Sequence, residues 1–123
     1  MKIVVNSNRN IVYNCHYHIV FCPKYRRRVL VDGVDTRLKT LIAQLVEKWG
    51  QTLVEVEVMP DHVYFLVNVD PQFGIHRLMK LIKGCSSRFL RQEFPVLKRK
   101  LLSLWTNSYF VSTTGGAFFS IIK

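Results

Sequence analysis

Acidic side chains are scarce in this chain: eight Asp and Glu stand against 18 Lys and Arg in 123 residues, a formal net charge of +10. The shortage is greatest in residues 62–123, which hold two acidic and nine basic groups, whereas residues 1–61 hold six and nine. A surface with this balance attracts polyanions, with nucleic acid the usual candidate and an anionic membrane the other.

Long apolar runs and paired cysteines are also missing. No run approaches the roughly 20 apolar residues that span a bilayer, and no signal peptide is visible, so we expect a cytoplasmic protein without membrane contact. Three cysteines with no Cys-x-x-Cys spacing argue against a disulfide framework or a zinc knuckle. Because 49% of the residues are hydrophobic, we expect one domain over residues 1–123.

Hydrophobic periodicity gives the order of the elements. Alternation predicts strands over residues 11–22, 52–59, 62–69 and 108–114, and helical spacing predicts helices over 38–49, capped by Gly50, and over 75–94. The order predicts an α+β, ferredoxin-like βαββαβ fold, with two helices on one face of an antiparallel sheet and the other face open. An apolar segment after Gly115-Gly116 predicts the start of a further helix that ends abruptly at Lys123.

Histidines on the predicted open face are candidate metal ligands. His62 begins a central strand with Tyr64 on the same face, and a second histidine at that position would chelate a divalent ion with the first. A neutral tyrosine is a poor ligand, so a site formed by His62 and Tyr64 is weak or inactive. His16 and His18 also share a face and are candidates to join His62. The alternative is that all three histidines are ordinary turn or sheet-surface residues.

Basic residues cluster in two places. A run after the first strand combines four cations with an aromatic ring, which suits phosphate contacts and base stacking, and consists of Lys24, Tyr25, Arg26, Arg27 and Arg28. The second predicted helix adds Lys83, Arg88 and Arg91. Such clusters are often merely solvated, but together with the uneven charge and an open sheet they favour nucleic-acid binding.

Several motifs, in order along nearly the whole chain, resemble the small single-tyrosine transposases of the HUH type, the insertion-sequence 200-like family. They are Tyr17-His18-Ile19-Val20-Phe21, Pro23-Lys24-Tyr25-Arg26-Arg27-Arg28-Val29-Leu30, Met59-Pro60-Asp61-His62, Lys83-Gly84-Cys85-Ser86-Ser87-Arg88 and Leu104-Trp105-Thr106-Asn107-Ser108-Tyr109.

The resemblance implies a homodimeric enzyme that binds hairpins in single-stranded DNA at insertion-sequence ends. Such an enzyme cleaves and rejoins strands through a 5′-phosphotyrosine, with two histidines and a glutamine holding Mg²⁺ or Mn²⁺. His62 matches the first metal histidine, whereas Tyr64 stands at the position of the second. The family's nucleophilic tyrosine and its glutamine would fall beyond Lys123. The resemblance therefore implies a chain that binds DNA but has impaired cleavage and doubtful metal binding.

Two other functions stay open at this point. One is a non-catalytic regulatory module that binds single-stranded DNA and was selected for binding. The other, outside the family, is a ferredoxin-like RNA-binding domain that prefers RNA loops.

Overall fold

The predicted βαββαβ order is confirmed in the computed structural model, which describes residues 6–7 and 12–113. The four-stranded sheet consists of β3 (His16–Phe21), β4 (Thr52–Met59), β5 (His62–Asn68) and β6 (Phe110–Thr113), in the order β4-β5-β3-β6 with every neighbouring pair antiparallel. The helices are α1 (Val34–Lys48), α2 (Ile75–Glu93) and α3 (Pro95–Lys100), and a 3₁₀ turn, η1, covers Lys24–Arg26. A two-stranded ladder joins β1 (Asn6–Ser7) to β2 (Val12–Tyr13).

The core lies between one face of the sheet and the helices α1 and α2. Alternate residues of β3 and β5, such as Ile19, Phe65 and Val67, are fully buried in it, and α1 contributes Leu38 and Ile42 from one side of the helix. α1 ends where Gly50 adopts a left-handed φ of 76°, the cap that the sequence predicts. The predicted helix after Gly115 lies outside the described residues.

The first predicted strand, 11–22, is interrupted. β2 ends at Tyr13 and β3 begins at His16, because Cys15 between them pairs differently: its N–H donates to Asn68 Oδ1 at 2.9 Å and its carbonyl accepts from the Val69 N–H at 3.0 Å. A side-chain acceptor from β5 thus occupies a place in the ladder that a backbone carbonyl would otherwise fill. The prediction of one continuous strand was wrong.

A β-bulge changes the inner face of β4. The register shifts between Leu53 and Glu55, so Leu53 and Val56 pack on the core and Val54 is the extra residue. Strict alternation over 52–59 would place Val54 on the same face as Val56 and Val58, and this expectation is wrong for Val54.

The second face of the sheet is open at one end and closed at the other. Leu66 and His16 are 2% and 4% exposed although neither belongs to the main core cluster, and Asn68 is fully buried. Tyr64 and His62 are half-buried, while Glu55 and Glu57 of β4 are exposed. Only the end of the face that carries Tyr64 and His62 matches the open surface that the sequence predicts.

The segment after α2 supplies core residues that the sequence pattern did not reveal. α2 ends before Pro95 as predicted, but Pro95 then begins the short helix α3, and both Leu97 within α3 and Trp105 after it are buried. The Trp105 ring packs edge-on against Phe21 at 4.6 Å between centroids, and its indole N–H donates to Ser86 Oγ at 3.0 Å.

Replacing Ser86 by alanine is expected to lower the free energy of unfolding by about 1–3 kcal/mol, because the Trp105 N–H would be left buried without an acceptor. The matched control is Ser87→Ala, which replaces the half-buried next residue of α2. We expect its free energy of unfolding to stay within about 0.5 kcal/mol of the native value. Urea unfolding measures both. Equal stabilities of the two variants would contradict the role of this hydrogen bond.

Candidate functional site

Tyr64 sits at the centre of the open end of the sheet, between β3 and β4. Its hydroxyl donates to Glu55 Oε1 at 3.1 Å and lies 2.6 Å from His18 Nδ1, and the His18 and Tyr64 rings stack with centroids 5.7 Å apart. A phenol has one proton. Because that proton goes to Glu55, the second bond requires His18 Nδ1 to be the donor. Three strands thus contribute one chain of hydrogen bonds.

Burial, followed by the hydrogen bond and the negative charge of Glu55, raises the pKa of Tyr64 to about 12. The hydroxyl is therefore neutral throughout the physiological range, and its proton and one lone pair are already engaged. A neutral phenol in this state is a poor ligand for Mg²⁺ or Mn²⁺, which prefer carboxylate, carbonyl and water oxygens.

His62 is held quite differently. Asp61 Oδ1 lies 2.9 Å from His62 Nδ1, and the other oxygen of Asp61 accepts from Arg26 Nη2, also at 2.9 Å. The hydrogen bond with His62, then the contacts with Arg26, lower the pKa of Asp61. A carboxylate that accepts from Nδ1 leaves Nε2 with a free lone pair, which is how metal-ligating histidines are usually oriented.

The residues present therefore fit a metal site at one position and not at the other. His62 is oriented as a ligand would be, whereas Tyr64 is not. Among the described residues no three His, Cys, Asp or Glu side chains are grouped so that they could hold a metal ion.

His16 and His18 do not complete such a group around His62. In the register of β3 with β5, His16 lies opposite Asn68, six residues from His62, or roughly 20 Å along the strand. His18 lies opposite Leu66 and bonds Tyr64 instead. The hypothesis that both histidines join His62 around one ion is wrong for this geometric reason.

The basic run after β3 forms an exposed loop. Tyr25 and Arg26 adopt left-handed φ angles of 60° and 52°, and the Tyr25 side chain is 79% exposed. The loop is fixed to the body of the protein by the Lys24 N–H, which donates to the Leu104 carbonyl at 2.8 Å. Arg27 and Arg28 are exposed, so this loop presents cations and one ring to solvent.

The three predicted cations of α2 fall into two groups. Lys83 Nζ donates to the Thr106 carbonyl at 2.5 Å and lies 5.7 Å from the centre of the Tyr109 ring, and burial lowers its pKa. Lys83 therefore ties the segment after Trp105 to α2. Arg88 and Arg91 instead line a groove of about 390 Å³ between α2 and α3, which Lys98 closes from the other side.

A family model described as "Transposase IS200 like" matches residues 11–123. The chain belongs to the IS200-like transposase family. The ISDra2 transposase TnpA of Deinococcus radiodurans is 36% identical over 115 residues, which cover 92% of this chain and 82% of that relative. A transposase for insertion sequence element IS200 from Salmonella typhimurium is 33% identical over 105 residues, 84% of this chain and 69% of the relative.

Solved structures agree with the fold of this IS200-like chain. A crystal structure of a candidate transposase from D. radiodurans R1 superposes with a TM-score of 0.82 at 38% identity, covering 90% of this chain and 87% of the other. A REP-associated tyrosine transposase bound to a REP hairpin superposes with a TM-score of 0.54 at 11% identity, covering 93% and 64%. The second likeness concerns the fold alone.

Three residues of this IS200-like chain were not singled out from the sequence. Glu55 was readable as an outward residue of β4, but its contact with Tyr64 depends on the pairing of two strands. Asp61 directly precedes His62, and that adjacency was the available signal for its role as an orienting carboxylate. Lys98 belongs to α3, a helix that the periodicity did not predict.

The stability of the chain is expected to fall as the pH drops below about 6.5. Burial, and secondly the charge of His18, lowers the pKa of His16 below its ordinary value of 6.5, and its Nε2 is buried without a hydrogen-bond partner. The unfolded chain therefore takes up a proton at a pH at which folded His16 stays neutral, so acid favours unfolding. Well above pH 6.5 His16 is neutral in both states, so this loss of stability is absent.

Urea unfolding between pH 5 and 7.5 checks this expectation on the native chain and on His16→Leu. The variant should show a shallower decline of the unfolding free energy with falling pH. A His16→Leu curve parallel to the native one would refute the assignment.

Proposed function

We propose that this IS200-like transposase chain binds hairpins in single-stranded DNA at insertion-sequence ends, and that its strand cleavage and rejoining are impaired. The observation that carries the proposal is the state of Tyr64. It stands at the position of the family's second metal histidine and is engaged by His18 and Glu55 as a neutral phenol with a pKa of about 12.

Charge supports the binding half of the proposal. The net charge is +10, and the exposed Arg26, Arg27 and Arg28 of the loop after β3, together with the cations of the groove between α2 and α3, suit a phosphate backbone. The REP-associated relative was solved bound to a hairpin, and the same kind of ligand fits this surface chemically.

The impaired cleavage in the proposal follows from weak metal binding. We propose that Mg²⁺ or Mn²⁺ binds weakly, because His62 alone is oriented as a ligand and Tyr64 does not replace the missing imidazole. A chain in this state keeps DNA binding, which depends on cations elsewhere on the surface. A purely regulatory single-strand-binding role is compatible with the same geometry.

The homodimer is a further part of the proposal. β4 is an edge of the sheet and carries an exposed apolar side chain, Met59 at 50%. Pairing of two copies along β4 would cover this side chain and leave Phe110 of β6 accessible. Light scattering after size exclusion measures whether the mass in solution is that of one chain or of two.

None of the described helices is both long and apolar enough to cross a membrane, and the cytoplasmic location stays a prediction.

The experiment that tests the proposal is incubation with labelled hairpin-bearing single-stranded DNA and Mn²⁺, followed by a native gel and a denaturing protein gel. We expect a shifted band without a denaturation-resistant adduct. An adduct would overturn impaired cleavage, and absence of a shift would overturn hairpin binding. The controls are an unstructured DNA of equal composition and the matching RNA hairpin, and preference for the RNA would favour an RNA-binding role.

A further inference from the structure

Three cavities adjoin one another along the side of the protein. The helix cavity, about 390 Å³, lies between α2 and α3; the turn cavity, about 330 Å³, lies between α2 and the segment around Asn107; the sheet cavity, about 420 Å³, lies beside β3 and β6. Gly84 and Ser87 line both the helix and the turn cavity, and Thr106 lines both the turn and the sheet cavity. We call the continuous surface formed by the three cavities the side groove.

The chemistry of the side groove changes along its length. The helix cavity carries the cations Arg88, Arg91 and Lys98 with polar neighbours and no aromatic ring. The sheet cavity holds Arg26 and the 62% exposed Phe110, which lies opposite Val20 on the open face of the sheet. Among the described residues, those that line the three cavities include no Asp or Glu.

The middle of the side groove is firm and unobstructed. Lys83 fixes the segment around Thr106 to α2 through its hydrogen bond to the Thr106 carbonyl. Gly84 leaves the floor bare where the helix and turn cavities meet, since nothing lies within 4 Å of the position where a Cβ would be. A backbone that crosses from one end to the other would meet no side chain at that residue.

These observations separate two kinds of recognition. Bases of a paired stem are stacked inside the duplex, so a protein without groove readout contacts the stem through phosphates, for which cations and polar groups suffice. Unpaired bases are free to stack on exposed aromatic rings. The helix cavity has the first chemistry and the sheet cavity the second.

We propose that the side groove binds a hairpin in two parts. The helix cavity binds the phosphates of the paired stem, and the sheet cavity binds the unpaired nucleotides that continue from it, with one base stacked on Phe110. The segment around Asn107 lies at the junction of the two. This proposal rests on the hairpin binding proposed above and specifies which surface performs it.

The test uses fluorescence anisotropy with two DNA hairpins, one blunt and one with an unpaired tail, over a range of salt concentrations. The double variant R88A/K98A should weaken both hairpins and lower the salt slope by about 2 units, at roughly 0.9 per phosphate contact. F110A should weaken only the tailed hairpin, by about 5- to 150-fold for one stacked base. All three side chains are exposed, so folding should be unaffected, and thermal unfolding checks this.

The matched control is K39A/K48A, which removes the same charge from exposed positions of α1 away from the side groove. Its salt slope should stay within 1 unit of the native slope, by the same count per contact. A second variant, Gly84→Gln, places a good helix-forming side chain on the bare floor and should weaken the tailed hairpin more than the blunt one.

Two results would overturn the side-groove proposal alone: native binding with an unchanged slope in R88A/K98A, or equal loss for both hairpins in F110A. Failure of the native chain to bind either hairpin would instead overturn the proposed function, and the side groove with it.

Discussion

Replacing Arg26, Arg27 and Arg28 together by alanine is expected to weaken binding of hairpin-bearing single-stranded DNA by about 100-fold at 0.1 M salt. Each phosphate contact to a single strand contributes roughly 0.7 to the slope of log affinity against log salt concentration, so three contacts contribute about 2 units. All three side chains are exposed, which makes them available to DNA and leaves the core untouched.

The variant with lysine at the same three positions is the matched control. It keeps the charge, so its salt slope should stay native, although it loses the planar, bidentate geometry of arginine. Titration of labelled DNA at four salt concentrations gives both slopes. An alanine variant with the native slope would show that these residues do not contact phosphates.

Arg26 needs a separate test, because it also bonds Asp61, which in turn orients His62. The double variant R27A/R28A leaves that arrangement in place. Its salt slope should fall by about two thirds as much as that of the triple alanine variant, since one of the three contacts remains.

The sequence pattern predicted the parts of the fold that depend on local periodicity. The alternation over β5 correctly separated Val63, Phe65 and Val67 from Tyr64, because the side chains of a strand point to opposite faces whatever its partners are. The stripe of α2 and its end before Pro95 were predictable for the same reason, since helix geometry and the missing proline N–H act within a few residues.

Features that depend on contacts between distant residues were not predictable in this way. The break before β3 arises from the side chain of Asn68, 53 positions from Cys15. The chain from His18 through Tyr64 to Glu55 needs the registers of three strands, including the bulge beside Val54. Nothing in the periodicity of one strand reports on the register of its neighbours.

Tyr64→His is expected to raise the affinity of the chain for Mn²⁺ by at least about tenfold, the lower end of what metal-site contacts are worth. His62 already has Nδ1 engaged by Asp61, which leaves Nε2 for a metal. The imidazole introduced by Y64H would stand two residues along the same face of β5, because the side chains of a strand alternate between its two faces. Two imidazole nitrogens on one face would then be available to the same ion.

Electron paramagnetic resonance of free Mn²⁺ during a titration measures the change, with two controls. Tyr64→Phe breaks the hydrogen bonds to His18 and Glu55 without adding a ligand, so it should bind Mn²⁺ no better than the native chain. The double variant Y64H/H62A should lose the gain, because it removes the partner nitrogen.

The outcome separates two explanations of weak metal binding. If Y64H gains affinity and Y64F does not, the missing imidazole is the cause, and the rest of the site is intact around His62. If Y64F gains as much as Y64H, the hydrogen-bonded phenol itself was blocking Glu55 and His18, and these two residues would be the ligands. If neither variant gains, Tyr64 does not control metal binding, and the explanation of impaired cleavage given above is wrong.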